Sequence, residues 1–188
     1  VIVGLTGMAG SGKDSVADIL VRNHGYTRIA FADPLRSMAL ALNPMVDWGR
    51  NHLEISGPVR LRDVVDRDGW DVAKRFYPEV RRTLQRFGTE VIRDHVGPNF
   101  WVDTAMAKIV SQPDRNWVIT DCRFPNEAEA VVDYGGAVVL VVRPGLEPLP
   151  GSHASEAGVG DGLIQARLFN RGTLDDLDLR VAELVEVL

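Results

Sequence analysis

"GLTGMAGSGKDSVADIL", residues 4–20, leaves an apolar stretch, turns through Gly7, Gly10 and Gly12, and continues with apolar residues at helical spacing. From Gly7 the order is four residues, Gly12, then Lys13, which is the spacing of a phosphate-binding loop. Glycine lets the backbone turn tightly and bring its N–H groups close to an oxyanion. Those donors, with the positive end of the following helix, bind phosphates, and the lysine reaches the β and γ groups. A strand before the glycines and a helix after them argue against an ordinary glycine-rich turn. A Ser or Thr should follow the lysine to hold Mg²⁺; Asp14 stands there, and the first hydroxyl comes at Ser15. Two readings of Asp14 remain open. As a carboxylate it is a strong ligand for hard Mg²⁺, which would make the loop strongly metal-dependent, since a carboxylate beside a triphosphate is otherwise repelled. Alternatively it only favours the first turn of the helix, with water filling the metal shell. Ser15 then meets a phosphate oxygen or backs up the metal.

Outward from the loop, strands and helices alternate. "VIVGLTG" reads as a buried strand, and the helix after it carries Val16, Ile19 and Leu20 on one face and stops at Gly25. "TRIAFAD" is a second strand and "PLRSMALAL" a second helix with proline in its first turn. Residues 43–78, polar and broken by Asn43-Pro44, Gly49, Gly57-Pro58 and Gly69, read as a mobile insertion carrying a short helix or more. Residues 79–94 predict an amphipathic helix with Val80, Leu84, Phe87 and Val91 buried. "FWVDTAMAKIV" is another helix, "NWVITD" a third strand, and "PNEAEAVVDYGG" a helix opened by Pro125 and closed by Gly135-Gly136. "AVVLVVRP" is apolar throughout, as a strand buried on both faces must be. Residues 143–162 form a long loop, "ARLFN" a fifth strand, and a last helix starts at the cap Thr173. The alternation predicts an α/β chain with a parallel sheet covered on both sides.

The remaining candidates each carry a competing structural reading. Asp121 ends the third strand as a Walker-B-type metal carboxylate would, or as an ordinary turn-capping aspartate. Arg123, at the carboxyl edge where ligands bind parallel sheets, is a ligand arginine or half of a surface salt bridge. Arg36 clamps a phosphate and Asp33 accepts a hydroxyl, or the two form an i,i+3 ion pair. Arg82, Arg86, Thr89 and Arg93 share a helix stripe, which a solvated face explains equally. Gly88 costs roughly 1 kcal/mol inside a helix, so something is expected to pack against its backbone. Gln85 offers an amide to a base edge, and Phe100 and Trp101 stack on a base or belong to the core. His153 and Glu156 lie in the long loop, the histidine without a catalytic partner pattern. Arg143, Arg167 and Arg171 close over phosphates as a lid or lie exposed.

Composition narrows the setting. The 188 residues suit one domain, and 45% hydrophobic content is enough for a core. A net charge of −5 disfavours tracking along duplex nucleic acid. With Cys122 the only cysteine, no internal disulfide or cysteine metal site forms. No leader pattern and no membrane-length apolar run is present, so a cytoplasmic location is expected, with a few residues expected before Val1.

"FADPLRSMALALNP", "LQRFGTEVIRD", "FWVD", "VITDCRFPNEAEAV" and "HASE", together with the loop, resemble the bacteriophage deoxynucleoside monophosphate kinases, relatives of the adenylate-kinase group, along nearly the whole chain. The Lys13-Asp14 pair also resembles that family. The resemblance implies a P-loop NTPase three-layer sandwich over residues 1–188, with about five parallel strands, a helical insertion on the substrate side and a lid-like loop. It implies transfer of the ATP γ-phosphoryl to a deoxynucleoside 5′-monophosphate with Mg²⁺, in the cytoplasm (the host's, for a phage enzyme), by a protein compatible with a homodimer. Gly7, Ala9, Gly10, Ser11, Gly12, Lys13, Asp14 and Ser15 would hold the donor, and Asn170, Gly172 and Thr173 would pack near its adenine. Asp33, Arg36, Gln85, Thr89, Arg93, Trp101, Arg123 and Glu156 would surround the acceptor; Lys13, Arg93 and Arg123 would be catalytic, and Asp14 and Asp121 the metal ligands. The rivals are a dephospho-coenzyme A kinase-like enzyme, a kinase of a modified base in DNA, and a non-catalytic nucleotide-binding module. A GTPase-like switch lacks its Asn-Lys-x-Asp motif here.

Overall fold

The structure, a computed structural model, describes residues 1–48, 57–146 and 159–188. In chain order the strands are β1 (Ile2–Thr6), β2 (Thr27–Ile29), β3 (Met45–Trp48), β4 (Pro58–Arg60), β5 (Trp117–Ile119), β6 (Ala137–Val142) and β7 (Ala166–Phe169). The α-helices are α1 (Lys13–His24), α2 (Asp33–Leu42), α3 (Leu61–Phe76), α4 (Pro78–Gln85), α5 (Phe100–Val110), α6 (Pro125–Asp133) and α7 (Leu174–Val187). A π-helix follows α4 over Arg86–Arg93, and a 3₁₀ turn covers Asp161–Leu163. The chain forms two compact units, one of Val1–Phe31 with Val102–Leu188, the other of Ala32–Trp101.

The first unit is a five-stranded sheet in the order β2-β5-β1-β6-β7, every neighbouring pair parallel. Parallel strands need long crossovers, and here helices cover both faces. Val3, Leu5, Val118, Val139 and Val141 point to one side and pack with Val16 and Leu20 of α1 and Leu177 and Val181 of α7. Ile29, Trp117, Ile119 and Val138 point to the other and pack with Val102 and Met106 of α5 and Ala128 and Val131 of α6. Alternate residues of one strand therefore feed two cores, which is why these strands read as continuous apolar runs. The expected three-layer arrangement is present. Its helix ends also follow the sequence: α1 stops at Gly25 (φ 70°), and α7 opens with the Thr173–Asp176 capping box.

The second unit contains α2, the antiparallel hairpin β3–β4, α3, α4 and the π-helix. Its core gathers Ala39, Val46, Val59, Leu61, Val64, Tyr77 and Val80. The segment read as an insertion thus holds a hairpin and a 16-residue helix broken at Gly69, inside a unit wider than 43–78; residues 49–56 of it lie outside the described residues.

The helix expected over 79–94 needs a correction. It is α-helical to Gln85, and over Arg86–Arg93 the π-helix widens the turn to an i→i+5 ladder. That moves the inward position by one residue. Gly88 and Ile92 are buried, whereas Val91, placed in the apolar stripe by a 3.6-residue period, is 47% exposed. Of the stripe Arg82, Arg86, Thr89 and Arg93, the first two are exposed and paired, Arg82 with Glu79 at 2.6 Å and Arg86 with Glu90 at 3.3 Å, as on a solvated face.

Candidate active site

The loop after β1 turns at Gly7 (φ 135°), Gly10 (φ 79°) and Gly12 (φ 101°), a region of backbone space that side chains rarely enter. Two of these positions also lack room. A Cβ on Gly7 would lie 2.4 Å from the Val141 carbonyl oxygen, and one on Gly12 would lie 2.2 Å from Asn170 Nδ2. Asn170 follows β7 and donates that amide to the Ser11 carbonyl at 2.9 Å, while its own N–H bonds the Val142 carbonyl at 2.8 Å. The end of the sheet thereby fixes the turn. Lys13 Nζ donates to the carbonyls of Gly7 (2.7 Å) and Met8 (2.8 Å), which folds it back across the loop.

Ser11 is 1% exposed, and its hydroxyl has no hydrogen-bond partner among the described residues. The oxygen lies 3.1 Å from where a Cβ on Gly7 would stand, so it belongs to the inside of the turn. A buried hydroxyl without a partner costs free energy, and a phosphate oxygen bound in the cradle would supply an acceptor. The loop therefore fits a phosphate chain on its own geometry.

Neighbouring strand ends add charge. One oxygen of Asp121, just past β5, accepts the Phe31 N–H at 2.7 Å, so this carboxylate does the turn-fixing work of its competing reading. Asp14, on the exposed side of the first turn of α1, is ion-paired with Arg28 of β2. Among the described residues no group of three or more His, Cys, Asp or Glu is arranged to hold a metal. Mg²⁺ asks for less, commonly one or two carboxylates with the rest of its shell from phosphates and water. Carboxylate oxygens carry several lone pairs, so Asp14 and Asp121 fit that donor set.

Arg123 is exposed, and among the described residues its guanidinium has no ion-pair partner, so the surface salt bridge weighed for it is not seen. Its backbone is held by Glu127, 3% exposed, whose single oxygen Oε2 accepts the N–H of Arg123 (2.7 Å) and of Phe124 (3.0 Å). Sequence reasoning missed Glu127. The capping-box signal was present three residues after position 124, but a Phe in the cap position hides it. Cys122, 1% exposed, has its thiol pushed well up by burial and stays protonated.

In the second unit, Asp33 and Arg36 form the i,i+3 ion pair at 3.5 Å, with both side chains partly exposed. Gln85 is exposed, Thr89 half-buried, and Arg93 Nη1 donates to the Pro98 carbonyl at 3.4 Å. Trp101 departs from its expected role. It is 3% exposed, donates its indole N–H to the Gly88 carbonyl at 3.0 Å, and meets Phe100 edge-on. A ring so enclosed offers no face to a base; it braces the π-helix. Close packing at Gly88 is as expected, since a Cβ there would lie 2.9 Å from Leu35 Cδ2. Around Asn170, Arg171 lies over the Phe169 ring at 4.8 Å, and Gly172 (φ 85°) leads into the Thr173 cap. Arg167 pairs with Asp161 at 2.8 Å. His153, Glu156 and most of the lid-like loop fall in 147–158, outside the described residues.

A parallel sheet covered on both faces, with a glycine loop and lysine after its central strand, defines a P-loop nucleotide-binding protein. Residues 65–181 match the family described as deoxynucleotide monophosphate kinase. The chain belongs to that family. It is 30% identical over 160 residues to a protein of Acanthamoeba polyphaga mimivirus provisionally named as a deoxynucleotide monophosphate kinase, covering 78% of this chain and 76% of the relative. It is 29% identical to the deoxynucleoside-5′-monophosphate kinase of Escherichia phage T5, covering 91% and 90%. Dephospho-CoA kinase from Campylobacter jejuni, at 12% identity, shares the fold with a TM-score of 0.50 over 98% of this chain and 95% of that one.

Proposed function

We propose that this chain transfers the γ-phosphoryl of ATP to a deoxynucleoside 5′-monophosphate, yielding ADP and the deoxynucleoside diphosphate. Family membership supports the reaction, and the phosphate cradle with its unpartnered Ser11 hydroxyl is the observation that carries the donor assignment. In this reading the amides of residues 7–15 and the Ser11 hydroxyl hold the triphosphate. Lys13 exchanges its two loop carbonyls for phosphate oxygens, and Asn170 keeps the turn closed around them. Phe169, Arg171 and the Gly172-Thr173 turn flank the donor's base. Asp14 and Asp121 would hold Mg²⁺, which supplies neutralisation of the phosphate charge when bound.

Phosphoryl transfer asks the protein for alignment and charge compensation, and no covalent intermediate. The acceptor phosphate is already ionised at neutral pH, so no general base is needed. On the family resemblance, we assign acceptor roles to Arg123 of the first unit and, in the second, to Arg36, Arg93, Asp33, Gln85 and Thr89; guanidinium forks suit phosphate oxygens. Glu127 positions Arg123 through the backbone, and Trp101 positions the π-helix that carries Thr89 and Arg93. Nucleotide substrates support a cytoplasmic setting for this reaction.

A coupled assay of ADP release with each deoxynucleoside monophosphate in turn tests the reading. ADP formation that requires one or more of them is expected. Absence of turnover with all of them removes the assignment.

A further inference from the structure

Asp14 raises an electrostatic difficulty that its surroundings resolve. It follows the loop lysine directly, so an unpaired carboxylate there would repel the triphosphate that the loop is built to hold. Asp18 lies one turn along the same helix, and like charges at i,i+4 repel each other as well. Arg28 answers both. It sits mid-strand in β2, in register with Val118 of β5. One guanidinium nitrogen pairs with Asp14 Oδ1 and the other with Asp18 Oδ1 at 3.2 Å. The side chains of Arg28, Asp14 and Asp18 are 43%, 79% and 53% exposed, so the cluster can rearrange without unpacking the core.

We propose that Arg28 is a positioning residue that sets the metal dependence of donor binding, by holding Asp14 in an ion pair that competes with a divalent cation. This rests on the donor site proposed above. With Arg28 in place, the charge of Asp14 is offset, and ATP enters the loop even without metal. A cation that recruits Asp14 must first displace Arg28. Without Arg28, the charge of Asp14 in the first turn of α1 is uncompensated beside the nucleotide, and Asp14 stands open to a cation. The two effects have opposite signs: metal-free ATP binds less tightly, and the divalent ion binds the ATP complex more tightly. A residue that merely supported the fold would weaken both.

Calorimetric titration of ATP in EDTA, and paramagnetic measurement of Mn²⁺ binding to the ATP complex, read the two effects separately from turnover. For Arg28→Ala the metal-free ATP affinity should fall about two- to five-fold and the Mn²⁺ affinity rise about two- to five-fold, as expected for an exposed ion pair. Arg28→Lys should restore most of both, and adding Asp14→Asn to Arg28→Ala should cancel the gain in Mn²⁺ affinity. Circular dichroism establishes that each variant is folded, and Arg28→Gln gives a second neutral replacement. Unchanged affinities, or equal weakening of both, would overturn the role of Arg28. If wild-type protein binds ATP neither in EDTA nor with Mg²⁺, the donor site fails first and this inference with it.

Discussion

Gly12 shows how little freedom the loop has at a single residue. Alanine there meets both a disfavoured φ of 101° and the Asn170 amide 2.2 Å away. Gly12→Ala should therefore weaken ATP binding by roughly ten-fold or more (about 1–3 kcal/mol of backbone strain with the Asn170 bond displaced) in a calorimetric titration while the protein remains folded; unchanged affinity would contradict the cradle. Asn170→Ala is the milder test, removing one hydrogen bond that secures the turn. A net loss of about 1 kcal/mol predicts roughly five-fold weaker ATP binding, seen in KM for ATP more than in kcat. Glu127→Ala strips two backbone N–H groups of their acceptor, at about 1–3 kcal/mol for each group left unsatisfied. Glu127→Gln keeps a carbonyl oxygen for both and should recover most of that stability in a denaturant titration. Legibility differed among these residues. Gly12 was readable because the whole loop is a local spacing. Asn170 came from the family resemblance, and the geometry behind it, a strand end 159 positions away in the chain, leaves no local pattern. Glu127 hid behind a Phe cap, and the Arg28–Asp14 pair depends on strand order, which periodicity does not encode.

Among the elements, the π-helix over Arg86–Arg93 departs most from its sequence pattern. An α-helical period places Val91 inward, and the wider turn of the π-helix leaves it exposed. Gly88 gave the usable clue, because a helix-interior glycine implied close packing, and Leu35 and Trp101 provide it. Trp101→Phe removes the donor to the Gly88 carbonyl and shrinks a buried side chain. It should destabilise the protein by about 1–3 kcal/mol and raise KM for the deoxynucleoside monophosphate more than KM for ATP. Equal shifts in both would detach the π-helix from acceptor binding. The start of α7 carries a pH dependence. Asp176 accepts the Thr173 N–H and hydroxyl, both at 2.8 Å, and these bonds, with help from Arg180, hold its carboxyl below the ordinary aspartate value. A depressed folded-state pKa gives stability that is fully present above the unfolded value of 3.8 and lost as pH falls through the folded one. Thermal unfolding of the wild type should therefore drop more steeply than that of Asp176→Asn between about pH 5 and pH 2.

Taken whole, the molecule divides as its sequence only partly announces. The sheet unit was legible almost element by element, since buried parallel strands and capped helices leave strong local signals. In the unit Ala32–Trp101 the helices α2 and α4 were legible but the β3–β4 hairpin was not, because its strands are short and alternate too briefly to stand out from polar loop. Glycine loop, capping glutamate and Asn170 all gather at the carboxyl edge of the sheet, where a parallel fold presents its ligand sites. In the proposed function this edge holds ATP for direct transfer to a nucleotide, as opposed to water. The sharpest measurement supplies ATP labelled with ¹⁸O in its γ-phosphoryl oxygens, together with a deoxynucleoside monophosphate, and follows the label by mass spectrometry. The label should appear in the β-phosphoryl group of the deoxynucleoside diphosphate, in step with ADP. Label found only in inorganic phosphate, or left in ATP with every acceptor, would contradict the account.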